Sequence, residues 1–335
     1  MASIETKKNY AGSQILGILL ICSLLVLLFT PFFGAETLSL SDVIGFTQSN
    51  VDAKIYWLMR LPRAMVSFLA GTAFALSGMV FQAIFRNPLV CPFTLGVSGG
   101  ASLGAALYIW LGLSFSILGI SGISFFSFLG ALFSILMVWG LAKMQEGRST
   151  EKILLAGITV SFFFVSLIMF LQYLSGPGQS MKISRWLMGG LFVFGYDALR
   201  DLFPFVIAGS AAILYFSQDL NLLTTGEETA MSRGVDVLRV IKILFFLISA
   251  MVGGVVAVCG PIAFVGIIVP HICRLLIGPD HRYLTPATFL FGGIFLTVCD
   301  TFARILAPPT EIPVGVITAL LGGPFFLWLL CRNRF

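Results

Sequence analysis

Ten apolar runs separated by short polar intervals dominate the chain, at about 15–33, 65–85, 92–113, 120–141, 153–174, 202–220, 240–261, 262–277, 284–306 and 313–330. A helix needs about 20 apolar residues to cross ~30 Å of hydrocarbon. The pattern therefore predicts an all-α polytopic membrane protein of about ten transmembrane helices. Two runs are irregular: 92–113 is interrupted by Gly96, Gly99, Gly100 and Gly104, and 262–277 is short for a span. The first run follows Lys7 and Lys8, as a signal peptide would. It is longer than the ~7–15 residues of a secretory core, so it reads as an uncleaved first span. Two intervals carry a pattern of their own. In 219–242, the longest polar segment on the expected cytoplasmic side, Glu228-Thr-Ala230 followed by Gly234 predicts a short amphipathic helix with a glycine stop. Between Lys182 and Asp201, Trp186 and Tyr196 flank an apolar stretch too short to span, which predicts a helix in the outer interface.

Composition agrees with this reading. The chain is 58% hydrophobic and 10% charged, against about 25% charged in soluble domains. Residues 1–335 form one transmembrane domain, with 219–242 as a cytoplasmic loop within it. The net charge of +5 does not imply nucleic acid, because the basic residues are scattered singly and form no stripe. They report topology instead. With ten spans and the N-terminus inside, Lys54, Arg60, Arg63, Lys182, Arg185, Arg200 and Arg304 fall outside, and the other thirteen of the 20 fall in the cytoplasm. This is the bias expected of a bacterial inner-membrane protein with both termini cytoplasmic. The six cysteines lie in or beside apolar runs without metal-ligand spacing and read as packing residues.

A shift of 182 residues aligns Gly71 with Gly253, Ala75 with Ala257, Gly78 with Gly260, Pro88 with Pro270, Cys91 with Cys273 and Gly96 with Gly278. The copies start at the second and seventh spans, an odd separation, so helices 2–5 and 7–10 form an inverted repeat, a recurring plan of transporters. Gly71, Ala75 and Gly78 also predict close approach of helix backbones.

No catalytic constellation is present. His271 and His281 have no partner at metal-ligand or nucleophile spacing, and the chain lacks a G-x-x-x-x-G-K-[ST] loop for phosphate. Asp300 and Arg304, four apart, can pair on one helix face. Buried charge in a bilayer is costly, and a self-neutralising pair argues against a proton relay.

Arg60-Leu-Pro-Arg63, Gly71, Ser77-Gly78, Gln82, Arg86-Asn-Pro-Leu89, Pro92 and Leu95-Gly96 resemble the permease subunits of ABC importers for iron-siderophores, haem and cobalamin, the type II class. So do Ile153-Leu-Leu-Ala-Gly157, Leu220-Asn-Leu-Leu223, Gly226-Glu-Glu228, Arg233-Gly-Val235, Gly260-Pro-Ile-Ala-Phe-Val-Gly266, Val269-Pro-His271, Asp280-His-Arg282 and Glu311-Ile-Pro-Val-Gly315. The resemblance implies a homodimer with a path between its subunits, lined mainly by the fifth and tenth helices of each chain. It implies two separate ATP-binding subunits and a periplasmic or lipid-anchored binding protein. The chain itself would bind no cofactor, and ATP would be used by the partner.

By the same resemblance, Arg60, Arg63 and Arg304 match outer arginines that receive carboxylates of the binding protein, as exposed arginines can. Leu222, Gly226, Glu227, Glu228, Ala230, Arg233 and Gly234 match the element that couples to the ATPase. Asn87, Leu89, Ser149 and Thr150 match the cytoplasmic gate. Cys91, Glu151 and Gly189-Gly190 depart from the family pattern. Leu174-Ser-Gly-Pro-Gly-Gln179 looks like an ABC signature, but proline interrupts it and the topology places it outside, so it reads as a tight external turn. Iron(III)-siderophore is the cargo expected first, with haem and cobalamin as alternatives. An ion-coupled secondary transporter, a membrane-embedded enzyme and a structural bundle are remoter readings.

Overall fold

The computed structural model describes residues 2–34, 36, 38, 39, 43, 51–117, 119–144, 150–308 and 310–331. It is built almost wholly of helices. In order these are α1 Ala2–Phe29, α2 Leu61–Phe85, α3 Val97–Trp110, α4 Gly122–Met144, α5 Thr150–Leu174, α6 Pro177–Leu187, α7 Asp197–Tyr215, α8 Ser217–Thr225, α9 Glu227–Ser232, α10 Val237–Cys259, α11 Val265–Ile277, α12 His281–Ile305 and α13 Val314–Cys331. Helical turns over Val51–Lys54 and Ile55–Arg60 lead directly into α2. A two-residue ladder pairs Ser116–Ile117 with Ile120–Ser121.

Seven of these helical stretches are long and apolar enough to cross a membrane: 12–32, 51–85, 122–143, 150–174, 197–215, 237–259 and 281–305. The other three expected spans coincide with α3, α11 and α13, of 14, 13 and 18 residues. Length alone thus accounts for seven of the ten, and two of the three short helices, α3 and α11, follow left-handed breaks. Gly96, at φ 82°, precedes α3. Gly260, at φ 67°, ends α10, and Phe264, at φ 69°, precedes α11. A non-glycine residue in that region is strained. Phe264 is held there by α13, where a Cβ on Gly322 would lie 2.2 Å from its ring.

α2 is the central post, buried along nearly its whole length. It packs against α12 and α11, while α10 packs against α4 and α3. That exchange is what two copies of a four-helix unit, α2–α5 and α10–α13, make when a pseudo-two-fold relates them. The 182-residue shift, however, does not equate their elements. Gly96 precedes a short helix whereas Gly278 ends one, and Pro88 lies in a turn whereas Pro270 lies inside α11. The connector after α10 is shorter than the one after α2, so Phe264 and not Gly278 occupies the place of Gly96.

The small residues act as expected. A Cβ on Gly78 would sit 1.8 Å from the Gly266 carbonyl oxygen, and one on Gly71 would sit 2.2 Å from that of Gly292. These contacts let α2 lie backbone to backbone on α11 and α12. Cys91, Cys259, Cys273 and Cys299 are buried, while Cys22 and Cys331 are exposed.

Three local expectations are corrected. The short helix of this interval is α6, before the apolar stretch where one was expected. Pro177 opens its first turn, a position where the missing N–H is not needed. Thus Leu174 ends α5, the bend falls at Ser175-Gly176 and Pro177 already starts α6, while 188–196 is irregular, with Phe192 and Phe194 exposed. Run 202–220 divides at Phe216, because Ser217-Gln-Asp219 begins α8 with an acidic first turn. Interval 219–242 does contain the expected short helix, α9, ahead of Gly234, but it is mostly helical besides, and α10 already begins within it at Val237.

Candidate functional site at the two ends of the bundle

At the end carrying the start of α2 and the end of α12, the three arginines matched to docking are engaged within the chain. They are not the exposed groups expected from the sequence. Arg60 is 8% exposed. Its guanidinium donates to the carbonyl oxygens of Pro31, Phe32 and Glu36, at 3.4, 3.2 and 2.7 Å. Arg63 forks onto Asp300, with Nε 3.1 Å from each carboxylate oxygen and Nη2 2.9 Å from Oδ1. Its Nη1 reaches Glu311 at 2.7 Å. Arg304 pairs with Asp300 as the four-residue spacing predicts, but only at 3.4 Å. Its Nη2 lies 3.4 Å from the Thr30 carbonyl oxygen and 3.3 Å from Thr301 Oγ1.

Asp300 is fully buried and serves both Arg63 and Arg304, whereas Glu311 is 42% exposed. The arginines are drawn inward because a buried carboxylate needs paired cations and the segment that follows α1 offers carbonyl groups. Glu311 is the accessible ionic group of the cluster. It stood in a recognised motif, but nothing in the sequence signals its bond to a residue 248 positions away.

At the opposite end, α2 closes at Arg86 in a left-handed conformation, and Asn87 Oδ1 accepts from the Leu89 N–H at 2.9 Å. Asn87 thus shapes a tight turn that presents Leu89, which is 47% exposed. Gln82, buried one turn earlier, donates from Nε2 to the Gly266 carbonyl oxygen at 2.9 Å, and its Oε1 accepts from Arg274. A cavity of about 320 Å³ lies between this turn and α11, lined by Gln82, Arg86, Asn87, Pro88, His271 and Arg274.

The elements α8 and α9 lie beside that turn. Gly226 joins them at φ 126°, and its Cα faces Arg86. Two ties hold them to the bundle. Asn221 of α8 donates to Asp280 Oδ1 at 2.8 Å, and its Oδ1 accepts from the His281 N–H at 2.8 Å. Glu227 of α9 accepts a hydrogen bond from the Thr150 hydroxyl at the start of α5. Asp280 caps α12 and pairs with Arg282 at 2.7 Å. The Arg282 side chain, its N–H and the Asn221 amide hold the Asp280 carboxyl at about 2, against the opposing effect of burial.

The coupling residues divide by exposure. Glu228, Arg233 and Gly234 are exposed and Glu227 is half-buried, whereas Ala230 is buried and Leu222 packs on the core. Leu222 and Ala230 therefore position the element and do not offer side chains to a partner. Gly234, at φ 86°, ends the turn after α9. Thr150 is placed by its bond to Glu227, and Ser149 lies outside the described residues. Asn221, which the motif contained without a role, is the residue that sequence reasoning missed; its amide signals nothing until His281 is seen beside it.

Residues 18–332 match the FecCD transport family. The chain belongs to that family. It is 39% identical over 300 residues to the cobalamin import system permease protein BtuC of Halobacterium salinarum, covering 90% of this chain and 79% of that one. It is 36% identical over 321 residues to the hemin transport system permease protein HmuU of Yersinia pestis, covering 95% and 96%. A solved chain assigned to the metal-chelate type of ABC transporter, in an inward-facing conformation, superposes with a TM-score of 0.85 at 31% identity, covering 96% of this chain and 99% of that one. The protein is thus a multi-pass membrane subunit of an ABC importer, with ATP hydrolysis assigned to a separate ATPase and substrate delivery to a binding component.

Proposed function

We propose that two copies of this chain form the translocation path of an importer for a bulky metal chelate, with an iron(III)-siderophore as the first cargo to test. Cobalamin and hemin, the cargoes named for two relatives, are themselves metal chelates. They remain the alternatives. The dimer sits in the bacterial cytoplasmic membrane with both termini inside, an orientation supported by the distribution of lysine and arginine. Helices α5 and α13 of each copy line the path. The binding protein docks at the Arg60, Arg63 and Arg304 end, where its carboxylates compete with Glu311 for Arg63. Asn87, Leu89, Ser149 and Thr150 form the gate at the other end.

The observation that carries the mechanism is the pair of ties on α8 and α9. Asn221 holds them to α12 of the second repeat, and Glu227 holds them to α5 of the first. An ATPase that grips the exposed Glu228 and Arg233 would displace both halves together. Its closure then becomes a change at the gate, with turnover limited by that motion and not by covalent chemistry in this chain.

The test is uptake into proteoliposomes that hold the chain and its ATPase, with ferric siderophore, haem or cobalamin offered on the matching binding protein. ATP-dependent uptake of one cargo supports the importer and identifies what it carries. Uptake that ignores both ATP and the binding protein would overturn the proposal in favour of an ion-coupled transporter.

A further inference from the structure

A second crevice at the α8–α9 end is separate from the cavity beside Asn87. It has a volume of about 490 Å³ and opens between the last turn of α4 and the first turns of α5 and α10. Its walls are apolar, formed by Trp139, Ala142, Ile153 and Ile241, and its mouth carries Lys143, Arg239 and Lys242. Trp139 is fixed in place by Phe245 and Phe246, with ring centroids 5.7 and 5.4 Å away.

Three features make the mouth a receptor for a phosphate anion. First, Lys143, Arg239 and Lys242 are exposed, and among the described residues none of their side chains has an ion pair or hydrogen bond. Secondly, the one carboxylate of the lining, Asp236, is occupied in capping α10, where it accepts from the Arg239 N–H at 3.1 Å. Thirdly, the first turns of α5 and α10 both line the crevice, so the partial positive charge of two helix N-termini lies beside the three cations.

The apolar walls decide the kind of phosphate. A soluble ion would gain nothing from Trp139, Ile153 and Ile241, whereas a phospholipid carries glycerol and acyl carbons next to its phosphate. Leu136 on α4 and Leu238 on α10, which are 64% and 46% exposed, continue the apolar surface on either side. Basic pockets between membrane helices are suited to anionic headgroups.

We propose that this crevice binds the phosphodiester of an anionic phospholipid, with Lys143, Arg239 and Lys242 around the phosphate and Trp139, Ile153 and Ile241 against its glycerol and acyl carbons. Thr150 also lines the crevice, and it holds Glu227 of α9. A bound headgroup therefore touches the junction through which the coupling element is tied to α5. The lipid contact depends neither on the cargo nor on the orientation proposed above.

The experiment reconstitutes the full chain in nanodiscs of equal phosphatidylglycerol and phosphatidylcholine, then counts retained lipids by native mass spectrometry. The wild type should retain phosphatidylglycerol selectively. Retention should fall at least ~10-fold in Lys143→Gln/Arg239→Gln/Lys242→Gln and stay unchanged in the charge-matched Lys182→Gln/Arg185→Gln/Arg200→Gln variant at the other end. Lys143→Gln alone, at an exposed site, should give a partial loss and keeps the test open if the triple variant is not recovered. Excess inorganic phosphate should leave the lipid in place. Equal retention in wild type and triple variant would overturn the site, and displacement by inorganic phosphate would assign it to a soluble anion instead.

Discussion

Glu227 of α9 and Thr150 of α5 are joined by a hydrogen bond across 77 positions of sequence. One residue belongs to the element matched by resemblance to ATPase coupling and the other to the residues matched to the gate, so under the proposed function the bond would link the two directly. A hydrogen bond to a charged group contributes about 1.5–3 kcal/mol when buried, and this half-buried one should lie at or below the lower end. Thr150→Val keeps the side-chain volume and removes the donor. It should cost about 1 kcal/mol of stability and reduce uptake several-fold, with ATP hydrolysis by the partner little changed. Thermal denaturation, transport and phosphate release on one preparation check the three outcomes.

The ionic cluster at the other end separates into a structural and an accessible part. Asp300→Asn leaves Arg63 and Arg304 without their shared buried partner. Breaking a buried pair in this way costs about 3–5 kcal/mol. Glu311→Gln removes a partly exposed contact to Arg63 and should cost less than about 1 kcal/mol. Denaturation of both variants in the same detergent decides the matter. Equal losses would contradict the division.

Gly78 and Gly140 offer a contrast within helices. A Cβ on Gly78 would meet the Gly266 carbonyl oxygen at 1.8 Å, whereas one on Gly140 would meet nothing within 4 Å. Overpacking at a tight contact costs about 1–3 kcal/mol, and the backbone at Gly266 cannot swing aside as a side chain could. Gly78→Ala should lower the melting temperature clearly, and Gly140→Ala should leave it unchanged or slightly raised.

Much of this was legible in the chain. Gly96 marked a break, Gly71 and Gly78 marked close backbones, and Asp300 with Arg304 marked a pair. What remained hidden depends on contacts distant in sequence. The spacing of Arg60 and Arg63 placed them at the mouth of a helix, but not that Pro31, Phe32 and Glu36 would close over Arg60 or that Asp300 would turn Arg63 inward. Run 202–220 reads as one span because Phe216 is apolar, although the chain divides there. The repeat was detectable from glycine and proline matches, yet a linear shift cannot absorb the shorter connector after α10, so Gly278 was aligned where Phe264 belongs.

The latch at the head of α12 should respond to acid. Asp280 titrates at about 2 in the folded protein, below its ordinary value of 3.8. A carboxyl depressed on folding contributes stability that is fully present above the ordinary value and is lost as pH falls through the folded one. The contribution should therefore disappear between about pH 3.8 and pH 2. Asp280→Asn should be less stable at neutral pH and should lack that step. Melting curves of both proteins across this range test it.

The most direct test of the coupling role of α8 and α9 cuts both ties at once. In Asn221→Ala/Glu227→Gln, ATP hydrolysis and cargo uptake would be measured together in proteoliposomes with the ATPase and the loaded binding protein. If the ties carry the motion, hydrolysis stays within about twofold of wild type while cargo moved per ATP falls at least ~10-fold, a loss of about 1.4 kcal/mol or more in coupling. An unchanged ratio of cargo to ATP, whether both rates persist or both fall, would contradict the account.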